Sequence, residues 1–487
     1  MKVVTAHEMR TIDRLAMEEF HYPEILLMEH AALALWREIC SRFVPGKVAI
    51  VCGKGNNAGD GWALARLLNR SGFAVTVFQP EEEGELPPPA QQNRMMALGL
   101  GINALSWSAL LSNPLLSFSL VVDALLGTGF KGKVSGDLAA AIEVINNSSA
   151  PVVAVDIPSG VEADTGRING PAVRAELTVT FGLPKVGLMV YPGREHAGEI
   201  IVDPIDLPTP LLEGTAASFY SLAPEEIQTI LPRRKPEAHK GDHGHLLVIG
   251  GCPGMTGAPV LTGLAGLRSG AGLVTLGVRE GMLLPEKPME LMVKPWSQLK
   301  WEDYRAVVVG PGLSTNADGA ELLKTILCLE GIPRLLDADA LNLLATMEDW
   351  WQTVKGRLLL TPHPGEMGRL SGLTTSQVQA DRLGLVREKA DLWDVTLVLK
   401  GAATLVSSKR EPIYINSTGN PALATGGTGD VLAGMIGGLL AQGVVPVQAA
   451  VAGVYLHGKA GDLAAAEIGT TGLLAGDLLP RIPRTLR

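Results

Sequence analysis

The sequence predicts an α/β protein of two domains, each built on a mostly parallel sheet with helices on both faces. Three observations carry that expectation. Short runs rich in Val, Ile and Leu recur along the whole chain with few polar interruptions, as strands buried on both faces require. Helical patterns alternate with these runs. Most runs end in glycines or a carboxylate, at the strand ends where open α/β sheets bind ligands. The 487 residues suffice for two large domains. Hydrophobic residues make up 46% and charged residues 19%, which excludes a disordered chain or a coiled coil.

In the first half the strand candidates are Lys47–Gly53, Ala74–Phe78, Leu120–Leu126, Pro151–Ile157, Leu177–Phe181 and Glu199–Val202. In the second half they are His245–Gly250, Leu273–Val278, Ala306–Gly310, Arg334–Asp337, Arg357–Thr361 and Val395–Lys400. Periodicity fades over Asp203–Leu222, which holds Pro204, Pro208 and Pro210. Ala223–Ile230 then reads as a short helix with Pro224 in its first turn. The junction therefore falls near residue 220, giving domains of 1–217 and 222–485. A polar, basic segment, Pro232–Gly244, follows it, with Arg233, Arg234, Lys235, His239, Lys240 and His243. The low-complexity piece Glu81–Pro89 is expected as a surface loop. The halves share a rhythm but no motif, so duplication is not supported.

Composition narrows the function. A net charge of −9 argues against a nucleic-acid surface, which needs clustered Lys and Arg, but leaves room for a local basic pocket for a small phosphorylated ligand. Cys40, Cys52, Cys252 and Cys328 lie far apart with no CxxC, so neither a zinc site nor a disulfide framework is expected. The N-terminal residues lack the apolar core of a signal peptide. Val431–Gly458 holds no Asp, Glu, Lys or Arg, yet Gly443 and Pro446 break it, so two packed core helices explain it better than a membrane span. A cytoplasmic protein that engages no membrane is the expectation.

In the first half, a buried strand leads into Gly53-Lys54-Gly55-Asn56-Asn57-Ala58-Gly59-Asp60-Gly61, with a helical pattern from Trp62 to Asn69. A glycine-rich turn between strand and helix presents backbone N–H groups and a positive dipole, suited to phosphate, though it also serves as a plain turn. Two further strand ends, at Asp123 with Gly127-Thr128-Gly129 and at Asp156 with Pro158-Ser159-Gly160, place carboxylates where ligands bind. Asn57, Asp123 and Asp156 are expected to converge on one crevice. Each Asp alone could merely cap a turn.

NNAGDG, DALLGTGFKG and DIPSG, in that order, resemble the NAD(P)HX epimerase family over roughly residues 1–215. The resemblance implies a Rossmann-like three-layer fold and epimerisation of C6-hydrated NADH or NADPH. It implies substrate contacts at Asn56, Asn57, Ala58, Gly59 and Asp60, and at Gly127, Thr128, Gly129, Phe130, Lys131, Gly132 and Lys133. It also implies a potassium ion near Asn57, Asp123 and Ser159, and Asp156 beside the substrate. Epimerisation requires the hydroxyl to leave and return, and Asp156 is the candidate to shuttle that proton. Lys131 and Lys133 either meet phosphates or are solvated loop lysines.

In the second half, Thr425-Gly426-Gly427-Thr428-Gly429-Asp430 precedes the apolar helix pattern Val431–Leu440. Exposed N–H groups at Gly427–Gly429 suit a phosphoryl group in transfer, and Asp430 is placed to take a proton from an attacking hydroxyl. An ordinary helix start would explain the Asp but not the glycines. Gly310-Pro311-Gly312 ends a strand with room for a ligand, and Asp337 and Asp339 sit at a strand–helix junction. His363, between Pro362 and Pro364, reads as a ligand contact, and Lys400-Gly401-Ala402-Ala403-Thr404 as the turn of a hairpin able to clamp phosphates.

GPGL, DADALN, TPHPGEM, KGAAT and GGTGD together resemble the ribokinase-like ADP-dependent NAD(P)HX dehydratase family over about residues 222–485. The resemblance implies substrate contacts at Ala258, Gly312, His363 and Asp430, and nucleotide contacts at Lys400, Gly401, Ala402, Ala403, Thr404 and Gly429. It implies ADP as co-substrate, with Mg²⁺ as the divalent cation. The combined expectation is an isomerase fused to a lyase that repairs hydrated NAD(P)H, acting on NAD(P)HX as a homo-oligomer, with Asp430 and Asp156 catalytic. The competing expectation is a ribokinase-like kinase of a vitamin precursor with an N-terminal nucleotide-binding domain.

Overall fold

The structure, a computed structural model, describes residues 1–81, 86–112, 115–284, 287–354 and 356–486. Its contacts divide it into two compact units, Lys2–Phe219 and Tyr220–Arg487.

In the N-terminal unit seven strands form a parallel sheet: β1 (Lys47–Cys52), β2 (Ala74–Gln79), β3 (Asn103–Ser106), β4 (Leu120–Ala124), β5 (Val152–Val155), β6 (Leu177–Phe181) and β7 (Glu199–Asp203). The order is β3-β2-β1-β4-β5-β6-β7, all neighbours parallel. This is the doubly wound order, with its switch point between β1 and β4. Alternation along β1 assigns its two faces. Val48, Ile50 and Cys52 pack with the helices Glu24–Arg42 and Asn56–Arg70, while Ala49 and Val51 pack with Leu110, Ala141 and Ile142 on the other side.

The C-terminal unit holds β8 (His245–Ile249), β9 (Leu273–Val278), β10 (Met292–Pro295), β11 (Ala306–Val309), β12 (Arg334–Leu336), β13 (Leu358–Leu360), β14 (Thr396–Leu399), β15 (Leu405–Ser407) and β16 (Ile413–Ile415). They run in the order β16-β15-β14-β13-β12-β11-β8-β9-β10. Pairing is parallel from β10 to β14 and antiparallel from β14 to β16. Two helices, Thr428–Ala441 and Pro446–Ile468, account for the charge-free stretch and form much of the core. Among the described residues no helix is long and apolar enough to cross a membrane.

The sequence expectation places the runs well and misses β3, β10 and β16, and also the short strands Lys2–Val3 and Phe219–Ser221. Residues of β3 and β10 are half-buried or exposed, so no continuous apolar run marks them, and β16 has three residues. The helix after β1 begins at Asn56, six residues before Trp62, so Asn56–Asp60 are helical rather than a glycine-rich turn. Gly61 has a packing role there: a Cβ on it would sit 2.8 Å from that of Ala124. Of the expected loop Glu81–Pro89, residues 82–85 lie outside the described residues, and Pro88 and Pro89 open the helix Pro88–Gly99, where a missing N–H costs nothing.

The helices Gly257–Arg268 and Thr428–Ala441 meet at glycines. A Cβ on Gly434 would lie 2.1 Å from the Thr262 carbonyl oxygen, and one on Gly438 would lie 2.6 Å from that of Gly266. Backbone cannot yield as a side-chain tip does. Gly434→Ala therefore lowers stability by about 1–3 kcal/mol in denaturant unfolding. The control Gly476→Ala, with open space around it, stays within about 0.5 kcal/mol.

Candidate active sites

In the N-terminal unit the switch point gathers polar groups that the sheet interior excludes. Asp123, at the end of β4, is fully buried. Its Oδ1 accepts from Ser159 Oγ at 2.6 Å and from the Leu125 amide at 3.2 Å, and its Oδ2 from the Ser159 amide at 2.8 Å. Burial pushes this carboxyl up to about 6, against the pull of those hydrogen bonds, and no basic side chain takes part. Asn57, also buried, donates through Nδ2 to the Leu126 carbonyl at 3.0 Å, and the Leu126 amide donates to Ser159 Oγ at 2.9 Å. Asn57, Asp123 and Ser159 thus meet around Leu126 as an all-oxygen donor set suited to a hard cation.

Asp156 ends the next strand with φ +64°. Its Oδ1 accepts from Lys185 Nζ at 2.5 Å, Thr180 Oγ1 at 2.9 Å and the Phe181 amide at 3.1 Å. The Lys185 side chain is 1% exposed and also donates to the Phe181 carbonyl at 2.7 Å. Two more carboxylates feel this pair. Burial pushes Asp13 up to about 6, Lys185 opposing and Asp156 adding to it. Burial, then Asp156 and Asp13, holds Asp60 well above the ordinary carboxylate range. One ammonium thus faces three carboxylates, an arrangement able to hold and pass a proton near neutral pH.

The other expected N-terminal residues separate by environment. Asn56 donates to Glu24 Oε1 at 3.0 Å. Ala58 and Gly59 are buried, with a Cβ on Gly59 colliding with Met28 and Ala90, which is a packing role. The segment 127–133 begins against Asn57, since a Cβ on Gly127 would lie 3.3 Å from that of Asn57. Thr128 and Gly129 lead to Phe130, whose amide donates to the Gly127 carbonyl at 3.2 Å. Lys131 pairs with Asp164 at 3.1 Å, the Gly132 amide donates to Glu162 at 3.3 Å, and Lys133 is exposed. Lys185 and Thr180 carry no motif, and sequence reasoning missed them. The only signal was a single lysine between Pro184 and Val186 in an apolar stretch.

In the C-terminal unit Lys400, at the end of β14, is the centre. Its Nζ lies 2.7 Å from Asp337 Oδ1 and 3.7 Å from Glu366 Oε2. Burial pulls the ammonium pKa down, but the Asp337 and Glu366 carboxylates outweigh it and raise it. Asp337 Oδ1 also accepts from Thr361 Oγ1 at 2.8 Å. Burial, then Asp337, pushes Asp430 up to about 7, with Lys400 opposing. A Cβ on Gly429 would lie 3.5 Å from Lys400 Nζ, so the helix start and the lysine adjoin.

Asp430 lies in the first turn of the helix Thr428–Ala441, whose cap Gly427 has φ +90°. Among the described hydrogen bonds the amides of Gly427 and Gly429 have no acceptor, while that of Thr428 reaches the Thr425 carbonyl at 3.4 Å. Two of the three expected amides are therefore available to an anion. His457, fully buried with its pKa lowered to about 4 by burial, holds the Thr428 carbonyl at 2.9 Å through Nε2. Ala258 and Gly312 are neighbours, since a Cβ on Gly312 would lie 3.4 Å from that of Ala258. The turn after Lys400 has positive φ at Gly401 and Ala403, and Thr404 Oγ1 closes it onto the Gly401 carbonyl at 2.8 Å, with Ala402 between. His363 does more for the fold than its flanking prolines suggest. It caps the helix Pro364–Ser371, Nδ1 accepting from the Gly365 amide at 3.0 Å, while its half-exposed ring keeps one face open.

A doubly wound unit with buried carboxylates at its switch point, followed by a ribokinase-like unit with unpartnered amides at a glycine-capped helix, defines a two-part α/β enzyme. Residues 24–187 match the YjeF-related protein N-terminus family, and residues 246–484 match the NAD(P)H-hydrate dehydratase family. The chain is 42% identical over 514 aligned residues to the bifunctional NAD(P)H-hydrate repair enzyme of Moorella thermoacetica, covering 100% of this chain and 97% of that one. It is 39% identical over 448 residues to the Escherichia coli enzyme of the same name, covering 89% and 84%. A crystal structure of the ADP/ATP-dependent NAD(P)H-hydrate dehydratase from Bacillus subtilis, co-crystallised with ATP and Mg²⁺, is 34% identical with a TM-score of 0.50, covering 54% of this chain and 96% of that one. The chain belongs to the bifunctional NAD(P)H-hydrate repair enzyme family.

The Lys185–Asp156 pair yields a direct test. Lys185→Met strands a buried carboxylate and costs about 3–5 kcal/mol in unfolding experiments. Adding Asp156→Asn to it restores a substantial part of that loss, so the double-mutant cycle reports a coupling of the same sign.

Proposed function

We propose that the protein repairs hydrated NAD(P)H, with residues 1–217 interconverting the R and S epimers and residues 222–485 dehydrating the S epimer at the expense of ADP. The observation that carries the reading is Asp430, raised to about 7 beside two glycine amides with no acceptor among the described residues, in a chain that matches NAD(P)H-hydrate repair enzymes over 84–97% of their length.

In the C-terminal unit the C6 hydroxyl attacks the β-phosphorus of ADP, the P–O bond to AMP breaks, and Asp430 takes the hydroxyl proton. The Gly427 and Gly429 amides hold the phosphoryl oxygens in flight. The C6–O bond then breaks with its electron pair leaving on phosphate. The ring nitrogen lone pair stabilises the cation, and loss of the C5 proton restores the double bond. Mg²⁺, when bound, screens charge between nucleotide oxygens. Lys400 and the turn Gly401–Thr404 position the nucleotide, and Ala258, Gly312 and His363 border the dinucleotide. In the N-terminal unit Asp156 passes the proton as the hydroxyl leaves and returns, with the hydrated dinucleotide held by Asn56–Asp60 and Gly127–Lys133. Asn57, Asp123 and Ser159 would hold potassium, whose charge would offset the buried carboxylate. The fit rests on the oxygen donors and on a buried Asp123 carboxylate with no basic partner to offset its charge.

Hydrated NADH mixed with ADP regains absorbance at the NADH band and releases AMP and phosphate. A stable phosphoester would instead mark a kinase. Asp430→Asn lowers this rate by at least roughly 10²-fold, the lower end for general base catalysis, and leaves epimer exchange unchanged. Because the base must be ionised, the wild-type rate climbs with pH and levels off above about 7, where Asp430 titrates, and a pH–rate profile checks it.

Potassium in place of a bulky organic cation raises the melting temperature of the N-terminal unit by an amount that grows with its concentration. Asp123→Asn removes that dependence, as read by thermal unfolding in the two salts.

A further inference from the structure

The basic segment after the domain junction takes no part in the chemistry above. In the C-terminal unit the exposed Arg234, Lys235, His239 and Lys240, with the half-buried His243, line an open cavity of about 370 Å³. That size lies within the roughly 300–1,000 Å³ of small-ligand pockets. The cavity sits at the amino ends of β8 and β9, since His243 lies two residues before the first and Gly272 immediately before the second. The candidate dehydratase site occupies the carboxyl ends of the same sheet, about 16 Å away along a five-residue strand at roughly 3.3 Å per residue.

Arg234 donates only to the Gly270 carbonyl, at 2.9 Å, and neither Lys235 nor Lys240 has a carboxylate partner among the described residues. The segment holds two acids, Glu237 and Asp242, and neither lines the cavity. Asp242 is spent on the turn. It accepts from the His239 amide at 2.9 Å and lies 3.4 Å from His239 Nδ1. That contact, then the charge of His239, lowers its pKa. The segment is also pinned. The Gly272 amide donates to the carbonyls of His243 and Gly244, each at 3.1 Å, and a Cβ on Gly272 would lie 1.8 Å from the Lys240 carbonyl oxygen. Like charges gathered on one loop raise the local positive potential and favour an anion there, and in a chain of net charge −9 they are a local exception. A guanidinium fork with two ammonium groups matches the tetrahedral oxygens of phosphate.

We propose that this cavity is a second anion site, separate from the dehydratase site, that binds the phosphate end of a small phosphorylated metabolite. Arg234 supplies the directional donors, Lys235 and Lys240 the charge, and the two histidines additional donors at the rim.

Pyrophosphate titrated calorimetrically into the full chain at low salt tests this. Lys235→Ala with Lys240→Ala lowers the binding stoichiometry by one site per chain, while epimerase and dehydratase rates stay at wild-type values. Lys235→Arg with Lys240→Arg keeps the site, which separates lost charge from lost packing. Crystals soaked in tungstate show its anomalous peak between Arg234, Lys235 and Lys240. Unchanged stoichiometry in the alanine variant, or no peak in the cavity, overturns the proposal. So does a changed sedimentation coefficient in the alanine variant, because the cations would then face a second copy of the chain.

Discussion

A parallel sheet covered on both faces leaves one place for polar chemistry, and both units are organised by that constraint. Alternating residues of β1 and β4 are consumed by two apolar layers, so a charged side chain in mid-strand would be buried without a partner. At the carboxyl ends the chain leaves the sheet, backbone amides come free, and carboxylates can be held. Asp123, Asp156 and Asp337 all stand at or just past such ends. The switch point widens the gap between neighbouring connections, which is why Asn57 and Asp123 meet across β1 and β4 in one unit while Gly250 and Gly310 flank β8 and β11 in the other.

In each unit a single buried ammonium then sets the electrostatics. Lys185 faces Asp156, Asp13 and Asp60, and Lys400 faces Asp337, Glu366 and Asp430. In both, carboxylates outnumber the cation, and burial pushes up those not paired directly with the lysine. That imbalance brings Asp430 to about 7 and Asp13 to about 6, where a proton is gained and lost at little cost. A second lysine in either site would quench the effect, and an absent one would leave several buried anions with no offset.

Much of the fold was legible because buried strands announce themselves as apolar runs. The strands that were missed are short or half-exposed, and their residues resemble loop composition. The candidate sites were legible where the residues that come together lie in contiguous sequence, as at Gly427–Asp430 and Leu336–Asn342. They were illegible where a partner arrives from a distant element. Nothing local in Lys185 or His457 declares a role, since each acquires its meaning only when burial brings it to Asp156 or Thr428. Glycines misled in one direction. Gly59 and Gly61 suggested a phosphate turn but lie inside a helix, where they let it approach Met28, Ala90 and Ala124.

The glycine-capped helix shows how the two uses of glycine are told apart. Gly427 has φ +90°, a conformation costly for any residue with a Cβ, and it directs the helix start toward Lys400. Gly434 and Gly438, two and three turns on, have ordinary helical backbone and serve contact with Gly257–Arg268. The first kind places amides, and the second holds the element that carries them. Between the two, His457 reaches from the helix Pro446–Ile468 to the Thr428 carbonyl. Its pKa of about 4 keeps the ring neutral at physiological pH, so its one N–H is committed to that carbonyl and no positive charge would compete with Lys400 for an anion at those amides. A charged side chain in that place would anchor the turn as well but would draw such an anion toward itself. The neutral imidazole fixes the position of the amides while leaving Lys400 as the cation beside them.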